Sequence, residues 1–300
     1  MKKKPIYVEI EIDASVDEVW NASQDPDLHS QWDLRFSSIT YLPKKDDEPQ
    51  KFTYKRSVPP LFTVEGWGKS TGTINKEDGT RSSSLHFGTK QWISPIKEGK
   101  GYWKYAPLQR GTKFLTQYDY EANFGSFGKV FDAFIFRPLI GWSTAISFDV
   151  LKRWLEKGEA PRSQYLRFFT TYGLMILFAF IWLYHGLIPK IIGRHPEEGR
   201  MLAGALPIDD SQVTAIINGI GIVEMLFGAL WLVYKKKKHL FALQLVVFPL
   251  LTIEALIAAP EAAIHPFNPL TFNLSLFVLS LIGYFSSDDV PTAKSCKRKR

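Results

Sequence analysis

The chain has 300 residues, a formal net charge of +7, 45% hydrophobic and 22% charged residues, and one cysteine. That length fits about two domains, and the lone Cys296 excludes an internal disulfide and a cysteine-based metal site. The basic excess sits largely in short clusters at residues 2–4, 235–238 and 297–300, and with no zinc-finger spacing or recognition-helix signature beside them it points to anionic lipid rather than nucleic acid.

The average composition hides two different halves. The first is polar, aromatic and glycine-rich. The second, beyond about residue 166, is dominated by long apolar runs.

The chain starts with "MKKKPIYVEIEIDASV". Ile6, Val8, Ile10 and Ile12 alternate with Tyr7, Glu9 and Glu11, which predicts a strand with one buried face and not a signal peptide. Ser15 and Glu18 form a capping box that opens a helix, and Asp25-Pro26 ends it ahead of a second short helix. Strand segments follow at 51–58, 61–68, 69–75, 80–88, 100–107 and 112–123. "KEDGT" and "QRG" supply turns between them. A long apolar helix is predicted over 129–157, kinked at Pro138 and Gly141.

Strand, two helices, several antiparallel strands and a long helix is the order of the helix-grip fold. With "QDPDLHSQWDLRF" it resembles the START-like group that includes the polyketide cyclases, over residues 5–157. The resemblance implies a cavity between curved sheet and long helix that takes apolar ligands. Trp20, Trp32, Trp67, Trp103, Tyr118 and Tyr120 are candidates to line it, with a filled core as the competing reading. Phe36, Phe87, Tyr105 and Phe131 belong to the same aromatic set. Asp33 and Arg35 lie two apart, so on a strand they share a face, as an ion pair at the domain edge or a polar handle for ligand. His29 and His86 show no carboxylate or nucleophile partner in the sequence. In "FDAFIFRPLIGW" the apolar residues exceed one core face; core packing and contact with lipid are both open.

Four segments, 166–188, 213–234, 240–259 and 269–285, are long and apolar enough to span a bilayer. "KKKK" between the second and third, "KSCKRKR" after the fourth and "LKRWLEKGEAPRSQYLR" before the first fall on one side. The excess of Lys and Arg predicts that this side, with both termini, is cytoplasmic. The expected place is the plasma membrane, crossed several times.

On the second span Asn218, Gly221, Glu224, Met225 and Gly228 share one stripe. An ionised acid there costs on the order of 3 kcal/mol, so Glu224 needs a proton, a partner or water. By depth, His185, Asn218, Glu254 and Asn273 are its candidate companions in a polar site for ligand or proton. The competing reading is helix-to-helix glue. No pair has metal-ligand spacing such as Glu-x-x-His, so no metal is expected.

"WLYHGLIPKII", "EEGRML" and "NGIGIVEMLFGALWL", with its G-x-x-E pattern, resemble the DoxX-like family of small four-helix membrane proteins, over 166–285. Its wider group includes a subunit of a thiosulfate:quinone oxidoreductase, so quinone is a candidate cofactor and a redox complex a candidate partner.

The expected architecture is an α+β helix-grip domain, a curved antiparallel sheet with a long C-terminal helix, over 1–160. An all-α bundle of four transmembrane helices follows over 161–290, then a basic cytoplasmic tail over 291–300. The expected function is binding of a hydrophobic small molecule or membrane lipid at the cytoplasmic face. The alternatives are an accessory subunit of a quinone-linked oxidoreductase and a structural protein without ligand. No catalytic residues are legible, and binding is preferred to enzyme activity.

Overall fold

A computed structural model describes residues 4–45, 48–58, 60–205 and 209–299. Lys2, Lys3 and Arg300 of the basic clusters, and 206–208 of the segment between the first two spans, lie outside the described residues. The chain divides into two units: residues 1–164 with 291–300, and 165–290.

In the first unit, eight described strands form one antiparallel sheet. They are β1 (Ile6–Ile12), β2 (Ser38–Tyr41), β3 (Lys51–Val58), β4 (Phe62–Asn75), β5 (Arg81–Gly88), β6 (Ile96–Pro107), β7 (Thr112–Ala122) and β8 (Lys297–Lys299). Their spatial order is β2-β3-β4-β5-β6-β7-β1-β8. Helices α1 (Val16–Gln24) and α2 (Pro26–Trp32) follow β1. The capping box at Ser15 and Glu18 forms as the sequence predicts, and Asp25 caps α2 with Pro26 at its start. The segments 61–68 and 69–75, expected as separate strands, are one 14-residue strand with a register shift between Ser70 and Gly72.

α3 (Gly125–Phe131) and α4 (Arg137–Lys157) form the long helix, joined by a π-helical turn at Asp132–Phe136. The sequence places the irregularity at Pro138 and Gly141. The structure places it just before Pro138, because proline has no N–H to donate to the preceding turn, which widens. α4 is regular through Gly141.

Glycine and aromatic residues together bend the sheet. The rings of Tyr54 and Phe52 lie where Cβ atoms of Gly66 and Gly68 would stand, and Phe87 crosses Gly99 in the same way. At Gly101 an added Cβ would meet the Cβ of Tyr118 at 2.5 Å and the Gln117 carbonyl at 3.0 Å. Ile6, Val8, Ile10 and Ile12 are buried as the alternation predicts. Trp32, Tyr105, Phe114 and Phe148 are wholly buried beside them, with Phe114 stacked on Phe148 at 4.5 Å and on Tyr105 at 5.0 Å.

The second unit contains most of α5 (Pro161–His185), then α6 (Pro196–Ala205), α7 (Asp210–Val233), α8 (Lys237–Ala258) and α9 (Pro269–Ser286). A π-helical segment, Gly186–Ile192, extends α5 around Pro189. α6 lies in a segment the sequence leaves as a loop. Five described helical runs are long and apolar enough to cross a membrane. One of them, Gly125–Lys157, packs on the sheet of the first unit. The other four, Pro161–Ile192, Ser211–Val233, Lys237–Ala258 and Pro269–Ser286, correspond to the four expected spans. Their core is aromatic: Phe178, Trp182, Trp231, Phe241 and Phe248 cluster with Leu276. Gln244 and Ser280, both fully buried, join α8 to α9 through a 3.2 Å hydrogen bond donated by the serine.

Gly101→Val places two methyls against Tyr118 and a neighbouring carbonyl. We expect a loss of about 1–3 kcal/mol, the usual cost of overpacking, read as a lower Tm of the first unit. An unchanged Tm would contradict the close approach.

Candidate functional site

The concave face of the sheet is built from alternate residues of each strand. Tyr105, Trp103 and Gly101 of β6 pair with Phe114, Thr116 and Tyr118 of β7, and Ser83 and Leu85 of β5 pair with Trp103 and Gly101. On the β1–β7 side this face is sealed. Toward β3–β5 it is not: Phe52, Tyr54, Leu85 and Phe87 face inward yet keep partial exposure.

A buried polar network stands where the filled and open parts meet. Asp33, 1% exposed, receives two hydrogen bonds on Oδ2, from Arg35 Nη2 at 2.6 Å and Nε at 3.2 Å. Its Oδ1 takes a third, from Nε at 2.9 Å. His29 Nε2 lies 3.0 Å from Asp33 Oδ2. The Arg35 guanidinium lies over the Tyr118 ring at 5.4 Å, and Tyr118 Oη meets Thr144 Oγ1 of α4 at 2.9 Å. The His29 ring packs among Trp32, Phe36 and Trp103 at 4.8–5.1 Å, and Phe36 reaches Tyr54 at 5.5 Å.

Burial alone would raise the Asp33 carboxyl, but the Arg35 charge and the His29 and Arg35 hydrogen bonds hold it well below the usual carboxylate range. Burial pushes His29 below its ordinary value despite Asp33, so it is neutral at pH 7. Burial would lower Arg35 too, and Asp33 reverses that. The phenol of Tyr54 is pushed by burial up to about 12. This part of the interior therefore offers a balanced ion pair, a neutral imidazole and neutral phenols.

The sequence candidates separate on this map. Trp20 packs on Tyr105 at 5.0 Å, and Trp32 donates to the Ala22 carbonyl at 2.8 Å. Trp103 and Tyr118 are inward and buried, and Tyr120 donates to Asp132 at 2.6 Å. Trp67 does not join them. Its neighbours Gly66 and Gly68 face inward, so its ring lies on the opposite face of the sheet, against His86 at 5.0 Å. Asp33 and Arg35 do pair, but they lie beyond α2 and before β2, with Asp33 buried and Arg35 partly so, not on a strand at the edge. Both histidines have carboxylate partners, Asp33 for His29 and Glu98 for His86 at 2.7 Å. The four-residue spacing of His29 and Asp33 was the available signal. The Asp132–Arg137 pair, 3.2 Å, also escaped sequence reading, because the π-helical turn brings together residues five apart.

In the second unit, Glu224 lies 3.2 Å from Lys190, and Lys190 lies 3.1 Å from Glu198. Lys190 is 8% exposed. Gly186 and Gly221 approach backbone to backbone, and an added Cβ on Gly221 would stand 3.1 Å from the Lys190 Cβ. Gly228 admits Leu183 and Ala179 of α5 in the same way. The other expected companions are placed elsewhere. Glu254 is exposed, and Asn218 and Asn273 are half-buried. The His185 ring packs on Phe272 at 5.5 Å. Among the described residues no hydrogen bond joins these four to Glu224. Depth counted on ideal helices missed Lys190, which the sequence assigns to a loop and the π-helical extension of α5 carries into the bundle. No described group of His, Cys, Asp and Glu has the geometry to hold a metal.

Three expectations test these networks. Asp33→Ala leaves Arg35 buried and unpaired, a loss of about 3–5 kcal/mol. The pH dependence has a definite sign. Both His29 and Asp33 have lowered folded pKa values, so each stabilises above its ordinary value, 6.5 and 3.8, and loses that share as pH falls through its folded value. Tm should therefore drop on going from pH 7 to 5, and His29→Phe should flatten that drop. For the second network, Glu224→Leu should cost about 1–2 kcal/mol in lipid, and much less in a Lys190→Met background. Equal costs in both backgrounds would show that the pair is not coupled.

Comparison with known proteins bears on the membrane unit first. Residues 179–281 match the DoxX-like family. An uncharacterized membrane protein of Bacillus subtilis, YndG, is 42% identical over 213 residues, 69% of this chain and 79% of YndG. Among solved structures, a STAR-related lipid transfer protein of Xanthomonas axonopodis is 18% identical, covering 50% of this chain and 84% of its own, with TM-score 0.38. Human StAR-related lipid transfer protein 5 is 15% identical, covering 50% and 74%, with TM-score 0.37. The chain therefore belongs to one family with the membrane protein YndG, and its C-terminal region carries a DoxX-like domain.

Proposed function

We propose that the helix-grip unit binds a hydrophobic small molecule or lipid at the cytoplasmic face of the plasma membrane, with the DoxX-like helices holding it there. The observation that carries this reading is the half-open concave face. Phe52, Tyr54, Leu85 and Phe87 point inward and remain partly exposed, while the β1–β7 side of that face is sealed. Apolar walls with a few fixed polar groups are the usual make-up of a small-molecule site. Arg35 and His29, with side chains 15% and 13% exposed, supply those groups at its inner margin. The lysines at 235–238 support the cytoplasmic orientation.

The ion pair and neutral imidazole favour a ligand with an uncharged hydrogen-bonding head, since Arg35 is already matched by Asp33. Leu85→Trp should fill the open part without touching the polar network. In full-length protein we expect it to keep its Tm and to weaken an apolar fluorescent ligand's binding about tenfold, or about 1.4 kcal/mol. Tryptophan quenching reads the binding. Native mass spectrometry of wild-type protein from host membrane should show a retained small molecule that the variant lacks. Identical binding by wild type and variant would place the ligand outside this face.

A further inference from the structure

Residues 291–299 read as a loose basic tail in the sequence, yet in the structure they fill a groove between α4 and β1. A helix lying on a sheet buries one face. α4 is buried at every residue from Thr144 to Leu151, so it is covered on more than its sheet side. Part of that cover is this segment, which runs antiparallel to the helix. The Thr292 amide donates to Asp149 Oδ2 at 2.9 Å, the oxygen that also accepts from Arg153 Nε at 2.9 Å. One turn back, Cys296 Sγ lies 3.4 Å from the Ala145 carbonyl. Asp149 is 3% exposed and Ala145 0%. From the segment itself, Pro291 and Ala293 are buried, and Thr292 caps a short turn at Ala293–Ser295.

The segment then adds a strand. β8 pairs with β1 from Glu9 to Tyr7 and closes a sheet edge that would otherwise present unpaired N–H and C=O groups. Its charge also has a counterpart. Glu9 is 9% exposed and accepts from the Tyr7 phenol, and the Lys297 ammonium reaches it at 3.4 Å. The groove thus reads three features of its occupant: small buried residues at 291 and 293, a backbone amide on Asp149, and cations on Glu9 and Tyr7. A tail that is merely basic matches the last alone.

β1 opens the unit, and β8 reaches it only after the whole of residues 165–290 has intervened. We propose that residues 291–299 are a strand-addition latch: the α4–β1 groove is a binding site for this extended basic segment, and the helix-grip unit is completed only once the chain has returned from its apolar spans. A chain stopped within those spans keeps an open edge at β1, the kind of edge that pairs with other chains. The latch is independent of any ligand in the concave face.

The first test needs no variant. Burial pushes the Cys296 thiol up to about 12, so the latched thiol is both shielded and protonated. In full-length protein at pH 8, Cys296 should react with a disulfide reagent about tenfold or more slowly than the free peptide of residues 291–300. Equal rates would overturn the proposal. The second test reads the order of completion. Nascent chains are arrested in the presence of membranes by one linker, placed after residue 290, after residue 300, or after residue 300 with 291–300 in scrambled order. The first unit of the native chain should outlast that of the other two about tenfold in a protease pulse. The free native peptide, added to the chain arrested at 290, should restore part of that resistance, and the scrambled peptide should not. Equal resistance of the three chains, or equal effects of the two peptides, would overturn the latch.

Discussion

The contact on which the first unit depends is an aromatic ring laid over a glycine on the next strand. It recurs at Tyr54 on Gly66, Phe52 on Gly68 and Phe87 on Gly99, and Gly101 gives the Tyr118 strand the same close approach. A flat sheet would stand these rings upright and fill the space in front of it. Laying them flat bends the sheet around α4 and leaves a concave face. The aromatic side chains thus do two things. On β7 and β6 they stack into a dry core with Trp32 and Phe148. On β3 and β5 they form a wall that is not fully covered.

Charge burial follows one rule in both units. Asp33 is matched by Arg35, Asp132 by Arg137, and Glu224 by Lys190. Each pair hides charge where an unpartnered ion would be prohibitive. Two of the three pairs involve a π-helical segment, 132–136 or 186–192, the first ending just before Pro138 and the second containing Pro189. A wider turn rotates the following side chains by about a residue's worth. That places Arg137 on Asp132, and it accompanies the entry of Lys190 into the bundle. The prolines therefore help set the electrostatics of both units through backbone geometry.

This explains what was legible in the sequence. Period-two alternation in β1, the capping box at Ser15, the turn residues and the four apolar runs all report local rules, and the structure follows them. The interior face was partly legible: Trp32, Trp103 and Tyr118 lie in the interior as aromatic residues expected there, but buried in its packed part. Trp67 does not, because a composition argument cannot tell which face of β4 a residue takes without knowing that Gly66 and Gly68 face inward. His29 was discounted although Asp33 stands one helical turn away. Lys190 was invisible to helix-depth counting, because the sequence reading ended the first span at residue 188, whereas the helix continues as a π-helical segment to Ile192. The misses are thus failures of register and pitch, not of chemistry.

The C-terminal residues complete the sheet of the first unit. Residues 291–300, set apart in the sequence as a basic tail, return to the first unit. Thr292 donates its amide to Asp149 at 2.9 Å, Cys296 lies 3.4 Å from the Ala145 carbonyl, and β8 pairs with β1, Lys297 opposite Glu9 and Lys299 opposite Tyr7. Its cations meet partners there, Lys297 with Glu9 at 3.4 Å and Lys299 over the Tyr7 ring at 4.6 Å. The chain leaves this unit after residue 164 and re-enters it at 291. The apolar run at Gly125–Lys157 belongs to this same unit and packs on its sheet through β1 and β7, so its apolar side chains are accounted for there, despite a length and composition that would suit a bilayer.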